Sequence, residues 1–156
     1  MTTSTQKIPT WFWIISIVLL LWNLMGIGSF VFHSFVMKGE ALAALPENER
    51  ALYGEYPLWT HIAFGIATIG ALLANILLLA KKKLAITLFV ISLIAILIQM
   101  FHNLFLTSAA EVYGNATYVM PILVIIIAIF EVWFSKNLDQ VKIRRQNLQK
   151  ILSSFL

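Results

Sequence analysis

Four uninterrupted apolar stretches, at about residues 11–32, 58–80, 84–106 and 118–135, constrain this chain more than any other feature. Each is long enough to cross a hydrocarbon core of about 30 Å, which takes roughly 20 helical residues. A chain with so few segments cannot close a barrel, and backbone groups left open in lipid are costly, so all four are expected to be helices. The expected fold is all-α, an integral membrane four-helix bundle. Composition agrees, since 60% of the 156 residues are hydrophobic and only 12% are charged, against about 25% charged in a soluble domain. The apolar first stretch is too long for a signal-peptide core and no small-residue cleavage pattern follows it, so it is read as a retained first span.

The cationic residues report direction. Lys7, Lys81, Lys82, Lys83, Lys136, Lys142, Arg144, Arg145 and Lys150 fall on one side of the four spans, and only Lys38 and Arg50 on the other. The positive-inside rule then predicts that both termini are cytoplasmic. The formal charge of +4 forms no basic face with interleaved aromatics, so nucleic acid is not an expected partner. Membrane lipids are. The chain has no cysteine, which removes disulfides, thiolate metal sites, iron–sulfur clusters and cysteine nucleophiles.

Outside the spans, the link from 34 to 57 reads as a short external helical pair. Pro46 followed by Glu47 and Glu49 fits a helix start, with acids at the positive dipole end. The segment 136–156 places Leu138, Val141, Leu148, Ile151, Leu152 and Phe155 at near-helical spacing beside basic residues. It is expected to be an amphipathic cytoplasmic tail, on the anionic leaflet or on a partner. The domain division that follows is a membrane unit, 1–135, and a tail, 136–156.

Polar side chains within spans are the informative positions, because hydrocarbon offers them no partner. Counted from the chain ends and the lysine turn at about 1.5 Å per residue, His33, His61 and His102 share one outer layer, which Gln99 and Asn103 join. Ser16, Asn75, Thr87 and Glu131 form an inner layer, with Asn23, Thr68 and Ser92 between. On the third helix, Gln99, His102 and Asn103 stand at i, i+3 and i+4. They are expected to face a stripe of His61, Gly65, Thr68, Leu72 and Asn75 on the second.

This column has a packing reading, in which polar contacts fix helix rotation while Gly26, Gly28, Gly65, Gly70 and Ala74 allow close approach. It also has a binding reading, in which His33, His61, Gln99, His102, Asn103, Asn23 and Thr68 hold a small polar solute that enters from the outer, water-facing side, with translocation as its extension along the inner residues. Glu131 and Asn75 are then candidates for proton coupling. His33, His61 and His102 could hold zinc or copper, and a histidine pair could ligate haem axially; the main reading expects no cofactor. No nucleophile elbow, metalloprotease histidine pair or phosphate loop is present, so the chain is not expected to be an enzyme.

Several runs together resemble a known group. Ile8-Pro9 before Trp11-Phe12-Trp13, Trp22-Asn23-Leu24-Met25-Gly26, Ala41-Leu42-Ala43-Ala44-Leu45-Pro46, Tyr56-Pro57-Leu58-Trp59, Gln99-Met100-Phe101-His102 and Met120-Pro121-Ile122 through Trp133-Phe134 resemble an uncharacterised small bacterial four-span inner-membrane protein family, sometimes labelled "sugar transporter". The resemblance implies a multi-pass protein of the bacterial inner membrane. Four helices leave little room for a hydrated passage, so a homo-oligomer with a shared site near Asn23, Thr68, His61 and His102 is expected. The rival expectation is an accessory or assembly subunit of a larger membrane complex.

The charge asymmetry gives a direct prediction. Single cysteines placed at the two chain ends should react with an impermeant maleimide only after the inner face is opened, whereas Glu49→Cys should react in intact cells. One terminus reacting from outside would refute the assignment.

Overall fold

The computed structural model describes residues 9–154. Lys7 and Phe155, counted above in the charge asymmetry and the tail, lie outside these residues, as do the side chains of Lys142, Arg144 and Arg145. The described chain is helical throughout and carries four helices long and apolar enough to cross a membrane. They are α1 (Thr10–Val31), α4 (Leu58–Leu79), α5 (Leu84–Phe105) and α7 (Val119–Ser154).

At one end of the bundle, which we call the connector end, lie the short helices α2 (Glu40–Ala43), α3 (Glu47–Gly54) and α6 (Ala109–Tyr113). A π-helical turn, Phe32–Val36, widens the end of α1, and a 3-10 turn, Gly114–Tyr118, leads into α7. The other end is the lysine end. Helices α1, α3 and α4 start directly after Pro9, Pro46 and Pro57, and Pro121 sits in the first turn of α7. A missing N–H costs nothing at these positions.

Helix α4 ends in a Schellman arrangement. Lys82 N–H donates to the Leu77 carbonyl and Lys81 N–H to that of Leu78, while Lys81 takes the left-handed conformation at φ 60°. Glycine usually fills this position. A lysine here accepts backbone strain of roughly 1–2 kcal/mol and keeps a charge in the tight turn.

Inward faces repeat with a four-three rhythm. Phe12, Ser16, Leu19 and Asn23 are buried on α1, Ala67, Ala71, Ala74 and Leu78 on α4, and Ala85, Phe89, Ser92 and Ile96 on α5. That spacing is the seam of a left-handed helical pair. Large apolar side chains such as Ile69, Leu73, Ile94 and Leu97 point outward. In a lipid solvent this would cost nothing, and close approach of small residues, rather than apolar burial, would hold the helices together. Helix α4 packs closely against α5 and α1, and α5 against α7.

Helices α1 and α7 meet differently, through long side chains. At the lysine end Phe12 stacks on Phe134 with ring centroids 6.2 Å apart, and Trp11 meets Phe134 edge-on at 6.0 Å. Phe12 and Phe134 join Leu78, Ala85 and Phe89 in a core that closes the lysine end.

The segment read as a tail continues the fourth long helix. Helix α7 runs unbroken from Val119 to Ser154, because no glycine or proline follows Pro121 to stop it. Its last five or so turns leave Val141, Leu148, Ile151 and Leu152 exposed. One ion pair, Lys83 to Asp139 at 4.0 Å, ties this extension to the lysine turn.

Ala74 is 0% exposed at the centre of the α1, α4 and α5 contact. Ala74→Leu should therefore destabilise the bundle by about 1–3 kcal/mol through overpacking, read from unfolding in mixed micelles. The opposite change at the outward neighbour, Leu73→Ala, should cost far less.

Candidate ligand cavity

Small side chains on the inward faces leave space that a row of leucines would fill. Gly26, Ala67, Ala71 and Ala128 line a partly open cavity of about 630 Å³ among α1, α4, α5 and α7. A single chain encloses it, so the expected sharing between copies is not needed to make room.

The floor is a hydrogen bond. Asn23 Nδ2 donates to Glu131 Oε1 at 2.9 Å, and the same amide lies 3.5 Å from the Ala71 carbonyl. Asn23 and Glu131 are 5% and 3% exposed. Counting back from Ser135 put Glu131 a layer below Asn23. That count fails because α7 does not end near Ser135, and because helical side chains lean toward their own N-terminus. The Glu131 carboxyl thus reaches toward the connector end, away from Lys136. Snorkelling to the lysine end is not what satisfies it.

Apolar and aromatic groups form most of the wall, among them Trp22, Met25, Phe64, Ile96, Met100 and Val124. Gln99 and Thr68 add polarity between floor and top. The Thr68 hydroxyl donates to its own helix, at Phe64 O, 2.9 Å away.

Near the connector end the cavity is ringed by polar groups. His33 and His61 line it, as do Tyr53, Tyr56, Asn103 and Thr117. Tyr53 Oη lies 3.3 Å from His33 Nδ1, and the Tyr56 hydroxyl donates to Asn103 Oδ1. His61 Nδ1 is 3.4 Å from the Pro57 carbonyl. A carbonyl only accepts, so in this contact Nδ1 is the donor.

The two connectors are tied to each other. Tyr113 donates to Glu49 at 3.2 Å, and the Ser108 backbone N–H donates to Glu55 at 2.6 Å. Burial lifts the phenols of Tyr53 and Tyr56 above their usual value, with Glu49 adding at Tyr53 and Glu55 at Tyr56. Both remain protonated donors at neutral pH. The link is therefore a roof over the cavity, with Leu52 of α3 and Ala109 of α6 buried beneath it.

Of the residues singled out from sequence, the cavity gathers Asn23, His33, His61, Thr68, Gln99, Asn103 and Glu131. His102 is not among them. Gln99, Asn103, Ile96 and Met100 present one face of α5 to the cavity, and His102 falls beside it. There it is 5% exposed, with its ring 5.1 Å from Trp59 and 5.6 Å from Tyr56, and its Nδ1 without a partner among the described residues. A ligand set of His33, His61 and His102 is accordingly not assembled, and no group of three metal-ligating side chains occurs among the described residues. A haem held between His61 and His102 meets the same obstacle.

Asn75 also lies outside the cavity. It is 0% exposed on the lysine side of Ala71, and neither amide atom has a partner among the described residues; Ser16 Oγ shares that state. Thr87 sits on an exposed face of α5 and leaves the inner layer altogether. The tyrosine roof of Tyr53, Tyr56 and Tyr113 was missed from sequence.

No family model matches the chain, and neither a curated protein nor a solved structure matches it significantly.

The floor makes a testable pair. Asn23→Leu leaves a buried carboxyl without its donor and should cost about 1–3 kcal/mol, whereas Glu131→Gln, which keeps an acceptor, should cost less. Combining Asn23→Leu with Glu131→Leu should recover part of the loss in a double-mutant cycle. Strict additivity would show that the two side chains do not interact.

Proposed function

We propose that this is a non-enzymatic, four-span protein of the bacterial inner membrane, with both termini cytoplasmic, that binds a small hydrogen-bonding molecule inside its bundle. One observation carries the reading, namely the cavity of about 630 Å³ with polar groups at both ends. Its size falls in the usual range of small-molecule sites, roughly 300–1,000 Å³, and such sites are mostly apolar with a few convergent polar groups. The Asn23–Glu131 floor supplies a donor and an ionisable acceptor, and His61 and Gln99 supply further contacts. The lysine turn then faces the cytoplasm and the tyrosine roof faces outward, consistent with the positive-inside rule. In this setting Glu131 is the one carboxylate able to couple a proton to an occupant, while Asn75 lies beneath it on the cytoplasmic side.

A second reading rests on a different part of the molecule. The exposed Leu148, Ile151 and Leu152 on the extension of α7 offer an apolar strip to a cytoplasmic or membrane-surface partner, as an accessory subunit of a larger complex would need.

The experiment is purification in nanodiscs cut from native membranes, followed by extraction of small molecules. Wild type should retain one component near stoichiometry. Thr68→Phe, which projects a ring into the cavity, should lower its retention about tenfold. An empty wild type, or equal retention by both, contradicts the proposal. Stoichiometric co-purification of another protein that survives Thr68→Phe but is lost on deleting residues 137–156 would favour the accessory reading.

A further inference from the structure

Close contacts wall much of the cavity. Phe12, Phe89 and Phe134 seal the lysine end, and the tied connectors roof the other. Between α1 and α4 the approach is so close that a methyl on Gly65 would stand 3.1 Å from the Phe30 ring. The α4 and α5 seam is held by Ser92, whose hydroxyl donates to the Ala67 carbonyl. Ala67, Ala95, Ile96 and Ala128 pack α7 onto this pair.

The remaining side lies between α1 and α7, beyond the Asn23–Glu131 bond toward the roof. Met25 and Ser29 on α1 and His33 on the π-helical turn follow at intervals of four residues, and all three both line the cavity and are exposed. Across from them Ala116 and Met120 do the same. Met25 is 67% exposed and Met120 58%, which buried cavity walls are not. From Met25 to His33 the opening is about 12 Å tall at the helical rise. It runs sideways through the half of the span nearest the connectors.

Building on the binding reading above, we infer that the cavity opens laterally into the outer leaflet and takes a neutral membrane amphiphile. Its headgroup lies under the roof and its chain leaves between Met25 and Met120. A molecule in that pose keeps the orientation it has in the leaflet, with the headgroup level with His33, His61 and Tyr53. The headgroup hydrogen-bonds without carrying negative charge, because no lysine or arginine lines the cavity among the described residues and Glu131 faces it from below. Methionines at the mouth suit a flexible chain, since their side chains adapt to irregular apolar shapes. This route differs from the outward, water-facing entrance expected from the sequence.

The test uses the full chain in proteoliposomes with two photoreactive lipids, a diazirine monoacylglycerol and the matching lysophosphatidic acid, which differs by its phosphate alone. The neutral probe should label Phe64 and Met100 on the cavity wall. Ser29→Trp and Met120→Trp change exposed residues at the mouth, and each should cut wall labelling about tenfold while leaving lipid-facing Ile94 and Leu97 labelled as before. The anionic probe should label the wall about tenfold less than the neutral one. Wall labelling unaffected by either tryptophan, or absent while Ile94 and Leu97 are labelled, overturns the lateral route. Equal wall labelling by both probes overturns the charge preference. If the wall is unlabelled yet wild type still retains a water-soluble molecule that Thr68→Phe loses, binding stands and the lateral route falls. If neither occurs, both fall.

Discussion

A carboxylate in the middle of an apolar bundle must be given a partner, and Asn23 is that partner for Glu131. The bond does more than satisfy one buried group. Helices α4 and α5, α1 and α4, and α5 and α7 are joined by small residues at close range, whereas α1 and α7 are bridged by side chains alone, at the phenylalanine stack and at this amide. Below the bond the two helices are plugged together. Above it nothing pulls them closed, and the space between them becomes the cavity. The same interaction thus sets the floor of the site, its height in the span and the side on which it opens.

The rest of the arrangement is what a lipid solvent would select. Apolar side chains gain little by turning inward, so they face outward, and the inward faces are left to alanine, glycine, serine and asparagine. Small inward residues bring helices together where they meet directly. Where a helix is held off by longer side chains, the same small residues leave a void. At the connector end water is available, and the polar ring of histidine and tyrosine can be roofed by helices too short to stand alone. Hydrogen bonds between the two connectors hold that roof more firmly than a solvated linker would be held.

Much of the fold was legible in the sequence, because hydropathy and length are enough to define spans and proline marks where helices begin. The pairing of Pro46 with Glu47 and Glu49 located α3 within a residue. The site was legible in part. Depth counting brought together His33, His61, Gln99 and Asn103, but it admitted His102, since helical periodicity identifies a face only to within a residue's width. It separated Asn23 from Glu131, since a hydrophobicity boundary at Ser135 is not a helix end. Tyr53, Tyr56 and Tyr113 could not be recognised as a roof, because aromatic residues near an interface serve as anchors in most membrane proteins, and the contacts that distinguish them are long-range.

The absence of native cysteine allows the central contact to be measured in the membrane itself. A double variant, Asn23→Cys with Glu131→Cys, treated with a short neutral bis-methanethiosulfonate, should form an intramolecular bridge detected by intact mass, and each single variant should take one reagent molecule without bridging. Two separately modified cysteines in the double variant, with no bridge, would mean that α1 and α7 do not face each other at that depth, and the cavity described between them would not exist.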